Sequence, residues 1–525
     1  MRPRLFASLI ASGAVLLFVV AATRQAKVQQ EQPASKNIVP SSSTKEAAQA
    51  LSDPALLSAI NQVIEQGDAA QARWGVFVMS LNDSRVLCSR DGERLFTPAS
   101  NMKIFTTAVA LDLLGEDFRW RTSVYAEKQV DPAGTLDGDL VLYGRGAPDL
   151  TSKRDLVARA NQLYERGLRR VRGNVIGDAS HFRGEPYGVG WQWNDLQWYY
   201  GAEPSALSID ENSVEVTLGP GNKIAGPASV FVTPNDNYFQ VTNTATTGER
   251  DKETTIGIVR ELSGNGLLVW GEFPTGGRSF SAFISVFDPA LRAASLFKQA
   301  LVARGIHVDG EARSRDARAA KNERFDPQKA SELAYVESGT LAEIVRKTNK
   351  ESNNLYAELI SRTLGKERGT LAPGPDERKN RARGDDEAGT AVVNWWLSAH
   401  GISTTGLAIH DGSGLSRLDL VSPESAARLL AVAAQSSWSR SFRDSLPVAG
   451  RDGTLGDRLQ SLRDRVSAKT GTLTYDHSLS GYITTTDNQV LVFSIICNDA
   501  TGQSHPVRTM DSIIEMLARR KSGKP

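Results

Sequence analysis

Residues 98–115 read Pro-Ala-Ser-Asn-Met-Lys-Ile-Phe-Thr-Thr-Ala-Val-Ala-Leu-Asp-Leu-Leu-Gly. Met102, Phe105, Val109 and Leu113 recur at helical spacing, which predicts a helix with one buried face, ended by Gly115. Ser100 and Lys103 stand at i and i+3 in its first turn, on one face, so the amine can reach the hydroxyl. Outward from this helix, two strands precede it, Arg73–Leu81 and Ser84–Cys88, with a turn at Asn82-Asp83. A helix from Asp53 to Gly67 stands before them. The same texture returns only at the far end of the chain. There Val466–Leu473, Ser478–Thr485 and Gln489–Asn498 read as strands, the last two joined at Asp487-Asn488, and Pro506–Arg520 reads as a helix. The economical reading is one sheet domain split in sequence.

The segment between differs in kind. From about Phe118 to Pro289 short strands, glycines and turn signals dominate, with one helix near Lys153–Gly167. Pro289–Ala303 is an amphipathic helix. Arg313–Lys329 is charged without periodicity and reads as a linker or surface loop. Helices resume at Thr340–Thr348, Leu355–Leu364, Glu387–His400 and Pro423–Gln435, the last with Ser422 as N-cap and proline at its first position.

Three short motifs carry chemistry. In Ser100-Asn101-Met102-Lys103 the serine sits by the positive end of a helix and its unpaired N–H groups, a field that suits a developing oxyanion. Ser352-Asn353-Asn354, before a helix, offers a hydroxyl for proton relay and an amide that both donates and accepts. Lys469-Thr470-Gly471-Thr472, on a strand, offers a cation and a hydroxyl for a carboxylate, and Gly471 lets substrate backbone approach the strand edge. Ser-x-x-Lys recurs at Ser42–Lys45 and Ser295–Lys298, and Ser-x-Asn at Ser35, Ser80 and Ser263, but in contexts that cannot position them. Specificity lies in the ordered set.

Composition narrows the rest. In 525 residues, 40% hydrophobic and 23% charged exclude wholesale disorder and a multi-span membrane protein. A net charge of +1 without a basic stripe gives no case for nucleic acid. No His-Glu-x-x-His or Cys-x-x-Cys occurs, so neither a metal nor another cofactor is implied. Met1 to Ala22 has two arginines before an uncharged apolar run, the pattern of a secretory signal or of an uncleaved anchor. Residues 23–50 are polar and small and read as a flexible tether. Both readings deliver the chain outside the cytoplasm, with peripheral or N-terminally tethered membrane association. Cys88 and Cys497 fall in strands of the split sheet, either as a disulfide or as buried thiols.

The ordered motifs are those of β-lactamases and penicillin-binding proteins. The chain resembles the class C low-molecular-mass penicillin-binding proteins, the D-alanyl-D-alanine carboxypeptidase/endopeptidases. The likeness extends to Gly173–Asp178, Tyr199–Ile209, Glu337–Leu359, Asp411–Arg417 and Gly481-Tyr482. Lys103 and Ser352 are 249 positions apart, a gap in which this family places two extra domains and a β-lactamase has no room. The resemblance implies an α/β (α+β) DD-peptidase-like domain over 51–118 and 323–520, with a five-stranded antiparallel sheet flanked by helices. The mostly-β insertion would form domain II, 119–211 and 286–322, and domain III, 212–285.

It also implies a periplasmic or cell-envelope enzyme. Its partners would be peptidoglycan stem peptides ending in D-Ala-D-Ala and, as covalent inhibitors, β-lactams. Ser100 would be the nucleophile. Lys103, its pKa lowered by burial and by Lys469, would be the base, and Ser352 the proton relay. Asn354 would hold the substrate amide and orient Lys103. Lys469 and Thr470 would bind the terminal carboxylate beside Gly471, and the N–H groups of Ser100 and Thr472 would form the oxyanion hole. Relatives often carry aspartate at Ala147, where in some it holds a diaminopimelate side chain; Asp149 is a candidate substitute. Ser413 is a further candidate beside the cleft. The aromatic group Trp191, Trp193, Trp198, Tyr199 and Tyr200 reads chiefly as packing. Because all three motifs lie outside the insertion, the core is expected to acylate without it. The rival functions are a β-lactamase or esterase on the same scaffold and a non-catalytic peptidoglycan-binding relative.

Overall fold

The computed structural model describes residues 53–319, 324–372, 383–502 and 504–521; the signal and tether segments lie outside them. The main sheet has five strands: β1 (Arg73–Ser80), β2 (Val86–Arg90), β3 (Val466–Leu473), β4 (Asp476–Thr484) and β5 (Val490–Asn498). Their spatial order is β3-β4-β5-β1-β2, all antiparallel. β1 and β5 pair over their whole length, Arg73 with Asn498 through Ser80 with Leu491. The two chain ends therefore build one sheet, as the sequence reading expects.

Helices cover both faces. On one, α1 (Pro54–Glu65), capped by the Asp53 carboxylate, packs with α5 (Pro506–Arg519) over Val76, Val78, Leu479 and Ile495. On the other lie α2 (Met102–Leu114), α3 (Asn354–Arg368) and α4 (Pro423–Gln435). α2 differs from the one-faced helix expected. Every residue from Met102 to Leu111 is buried, because the sheet, α3 and α4 enclose it all round. A helix apolar on every side belongs inside a core, and Lys103 is buried with it.

Residues after Leu114 leave this layer and form sheets of their own. One has five strands, ordered Ala312–Arg315, Val175–Asp178, Leu140–Tyr143, Arg121–Ala126 and Ser331–Glu337. This corrects two expectations. The charged stretch from Arg313 begins as a strand, paired in parallel with Val175–Asp178, and Ser331–Glu337 pairs antiparallel with Arg121–Ala126. Backbone pairing outweighs the lack of apolar periodicity at this sheet's two edges. Ser331–Glu337 thus lies in this sheet and not in the main one. Two three-stranded sheets within 213–285 enclose a separate small core around Val216, Val269 and Phe273. The core under the insertion's first sheet takes in Leu355 and Leu359 of α3, while Tyr356 and Ile360 of the same helix face the main core. Cys88 and Cys497 are free, buried thiols on opposite neighbours of β1.

Candidate active site

Ser100 sits in a 3₁₀ turn, Ala99–Asn101, that leads directly into α2, rather than within the helix itself. Ala99 opens the turn at φ 49°, a left-handed conformation that a Cβ disfavours. One turn on, the Lys103 amine donates to Ser100 Oγ at 2.9 Å, to Asn354 Oδ1 at 2.6 Å and to the Ser413 carbonyl at 2.8 Å. Three acceptors match the three protons of an ammonium. A neutral amine would reverse the first contact and accept the serine proton. Burial holds Lys103 down to about 7, against the opposing pull of Asp411 and Glu358. Burial is thus the cause on Lys103. The repulsion expected between the lysines appears on Lys469, held well below the usual range by burial and then by the Lys103 charge. Two cations in one dry site cannot both keep their protons cheaply.

Lys469 projects from β3 and donates to Ser352 Oγ at 2.9 Å and to the Thr470 carbonyl at 2.7 Å. Ser352 occupies a left-handed bend, φ 59°, between two helices. Asn353 faces away from it: its Oδ1 caps α3 at Tyr356 N–H, and its amide donates to Glu211 of the insertion at 2.8 Å. Thr470 pairs hydroxyls with Thr454 at 2.6 Å. A Cβ on Gly471 would lie 3.0 Å from the Ser100 nitrogen and 2.8 Å from the Pro98 carbonyl, so β3 passes against the serine turn at backbone distance, with Thr472 next along. The Asn101 amide, oriented by its neighbours, joins the two elements by donating to the Lys469 carbonyl at 2.7 Å. The three motifs therefore meet at one place.

Other placements differ. Asn354 Nδ2 donates to the carbonyl of Tyr200, in the insertion, at 2.8 Å, which uses one of its two N–H groups. Ser413 joins through its carbonyl, while its hydroxyl turns to Asp411. Asp149 accepts from Gly339 N–H at 2.9 Å and lines a cavity with Tyr199, Lys347 and Tyr356; no hydrogen bond ties it to the serine–lysine cluster. Trp191 is half-buried and donates to Asp411 at 2.8 Å, whereas Trp193 is 72% exposed. The residues that sequence reasoning missed are Glu358, Asp411 and the Tyr200 carbonyl. Each lies in a stretch of family likeness, Glu337–Leu359, Asp411–Arg417 or Tyr199–Ile209, but in none of the three motifs. Among the described residues no group of three or more His, Cys, Asp or Glu side chains is arranged to hold a metal ion.

A serine hydroxyl bonded to a buried lysine amine, on an antiparallel sheet flanked by helices, is the arrangement of an active-site serine hydrolase of the penicillin-recognising class. Residues 56–520 match the model of the D-Ala-D-Ala carboxypeptidase 3 (S13) family, and the chain belongs to that family. The D-alanyl-D-alanine carboxypeptidase of Actinomadura sp. (strain R39) is 34% identical over 472 residues, covering 87% of this chain and 84% of its own. The D-alanyl-D-alanine carboxypeptidase DacB of Haemophilus influenzae is 26% identical over 424 residues, covering 80% and 84%. The crystal structure of penicillin binding protein 4 (dacB) from H. influenzae superposes with a TM-score of 0.76 at 23% identity, over 88% of this chain and 99% of that one. That likeness supports the fold.

Proposed function

We propose that this chain is a serine D-alanyl-D-alanine carboxypeptidase/endopeptidase that hydrolyses peptidoglycan stem peptides and cross-links through an acyl-enzyme on Ser100. The observation that carries the reading is the buried Lys103 amine at 2.9 Å from Ser100 Oγ. As a neutral amine Lys103 takes the serine proton while Oγ attacks the penultimate D-alanine carbonyl. The N–H groups of Ser100 and Thr472 receive the oxyanion. Ser352 gives its proton to the leaving amine and is reprotonated from Lys103, while Lys469 donates to its hydroxyl at 2.9 Å; the C–N bond breaks, the terminal D-alanine departs and Lys103 is a neutral amine again. Lys103 then activates the water that hydrolyses the ester. Lys469 and Thr470 bind the substrate's terminal carboxylate, whose negative charge restores the proton affinity that Lys469 lacks in the empty cleft.

The assignment of 51–118 with the segment after about 338 to the catalytic domain, and of the sheets between to domains II and III, is part of the same proposal. So is a location in the periplasm or cell envelope, supported by the apolar run near the N-terminus; among the described residues no helix is long and apolar enough to cross a membrane. β-Lactams acylate the same serine in this reading. The solved H. influenzae penicillin binding protein 4 in complex with a β-lactam has the same fold, with a TM-score of 0.69.

Labelled penicillin tests the reading. The wild type is expected to form an adduct that is released slowly and maps to Ser100, and Ser100→Ala, folded by circular dichroism, is expected to form none. Rapid turnover would indicate a β-lactamase, and no adduct on the wild type a binding protein.

A further inference from the structure

The Asp411 carboxylate gathers a loop. Oδ1 accepts from Gly414 N–H at 2.6 Å, and Oδ2 from Ser416 N–H at 2.7 Å, Ser413 Oγ at 3.3 Å and the Trp191 indole at 2.8 Å. The loop is fixed on its other sides too. Glu358 Oε1 accepts from Gly412 and Ser413 N–H at 3.0 and 2.8 Å, and Thr106 Oγ1 donates to the Gly412 carbonyl at 2.7 Å. Gly414, at φ 78°, lies so close that a Cβ there would sit 1.8 Å from the Ala99 carbonyl, in the serine turn. From this loop the Ser413 carbonyl reaches Lys103 at 2.8 Å.

We propose that Asp411 is a positioning residue for the base: it holds the Ser413 carbonyl on the Lys103 amine, keeps a fixed negative charge beside it, and ties both to the insertion through Trp191. The proposal rests on the reading of Lys103 as the base. Four donors converge on the Asp411 carboxylate and fix its orientation. Asp419 lies behind it, and burial with the Asp411 charge pushes its carboxyl well up. The other ionisable groups around Lys103 are Glu358 on α3, Lys469 on β3 and, beyond Glu358, the buried Arg362. Burial and Asp411 push Glu358 up to about 8, so it gives the site less negative charge than its position suggests.

The test is the pH profile of penicillin acylation for the wild type, Asp411→Asn and Trp191→Phe. Loss of the negative charge lets Lys103 give up its proton more readily. Asp411→Asn is therefore expected to move the acid limb down by on the order of one pH unit while the plateau falls at least tenfold, because its amide NH₂ meets donors. A residue that matters only for folding would lower the plateau and leave the limb in place, and that result overturns the proposal. Trp191→Phe removes a single donor and keeps the ring. It should fold and lose about threefold to tenfold in kcat on a peptide substrate at unchanged KM, about one hydrogen bond's worth. If Asp411→Asn does not fold, Trp191→Phe decides: wild-type kcat overturns the link. Absence of acylation in the wild type itself would sink the base assignment instead.

Discussion

Two lysines share one dry pocket at the reacting centre, and burial favours the neutral amine on each. Lys103 at about 7 is neutral above that pH and protonated below it. Because only the neutral form accepts the Ser100 proton, acylation should rise with pH through about 7 and fall roughly tenfold per unit below it; stopped-flow labelling across pH 5–9 measures this, and a rate flat through that range contradicts the base role. Lys469 has the opposite need: it must be charged to meet a carboxylate. Lys469→Ala is expected to weaken hydrolysis of peptides ending in a free carboxylate by one to two powers of ten more than acylation by a neutral thioester without that group. The figure follows from about 1.5–3 kcal/mol for a charge-assisted hydrogen bond. Equal losses on both substrates would place carboxylate recognition elsewhere.

Among the elements, the approach of β3 to the start of α2 is set by contact. Gly471 has an ordinary strand conformation, so its importance is space. A Cβ would lie 2.2 Å from Ser478 Oγ and, beyond it, at the Pro98 and Ser100 backbone. Gly471→Ala is expected to leave the circular dichroism spectrum intact and to slow acylation by about 10²–10³, the loss typical of a spoiled oxyanion donor. A wild-type rate would show that the strand is free to shift. This contact explains what was legible beforehand. Val466–Leu473 and the two following strands are readable because their residues alternate or run apolar between turns, and Ser100, Lys103, Ser352, Asn354 and Lys469 because their motifs are short and local. Ser331–Glu337 was not readable, since its edge position leaves Glu332, Tyr335 and Glu337 facing solvent without a strand signature. Asp411 and Glu358 were not readable either. Trp191 is 220 residues from Asp411, and the Gly412 and Ser413 N–H groups are 54 and 55 from Glu358, so only the fold brings these together.

Across the whole molecule the insertion is bound into the site. The Tyr200 carbonyl holds the Asn354 amide, Glu211 meets Asn353 and Lys347, the Val189 carbonyl accepts from Ser416, and Leu355 and Leu359 complete the insertion's core. The core is therefore expected to acylate more slowly without this segment. Excision would leave the Asn354 amide unpaired beside Lys103, at about 1–3 kcal/mol, and would bare two apolar α3 residues. A variant lacking residues 119–337 is expected, even in its soluble folded fraction, to label with penicillin at least tenfold more slowly than the full chain; labelling at the full rate would mean that these contacts are idle. The two thiols set into the sheet on either side of β1 have a different consequence. Burial pushes both up to about 12, so neither reacts while the strands stay paired. Both are free, so an alkylating reagent becomes a clock for the opening of the sheet.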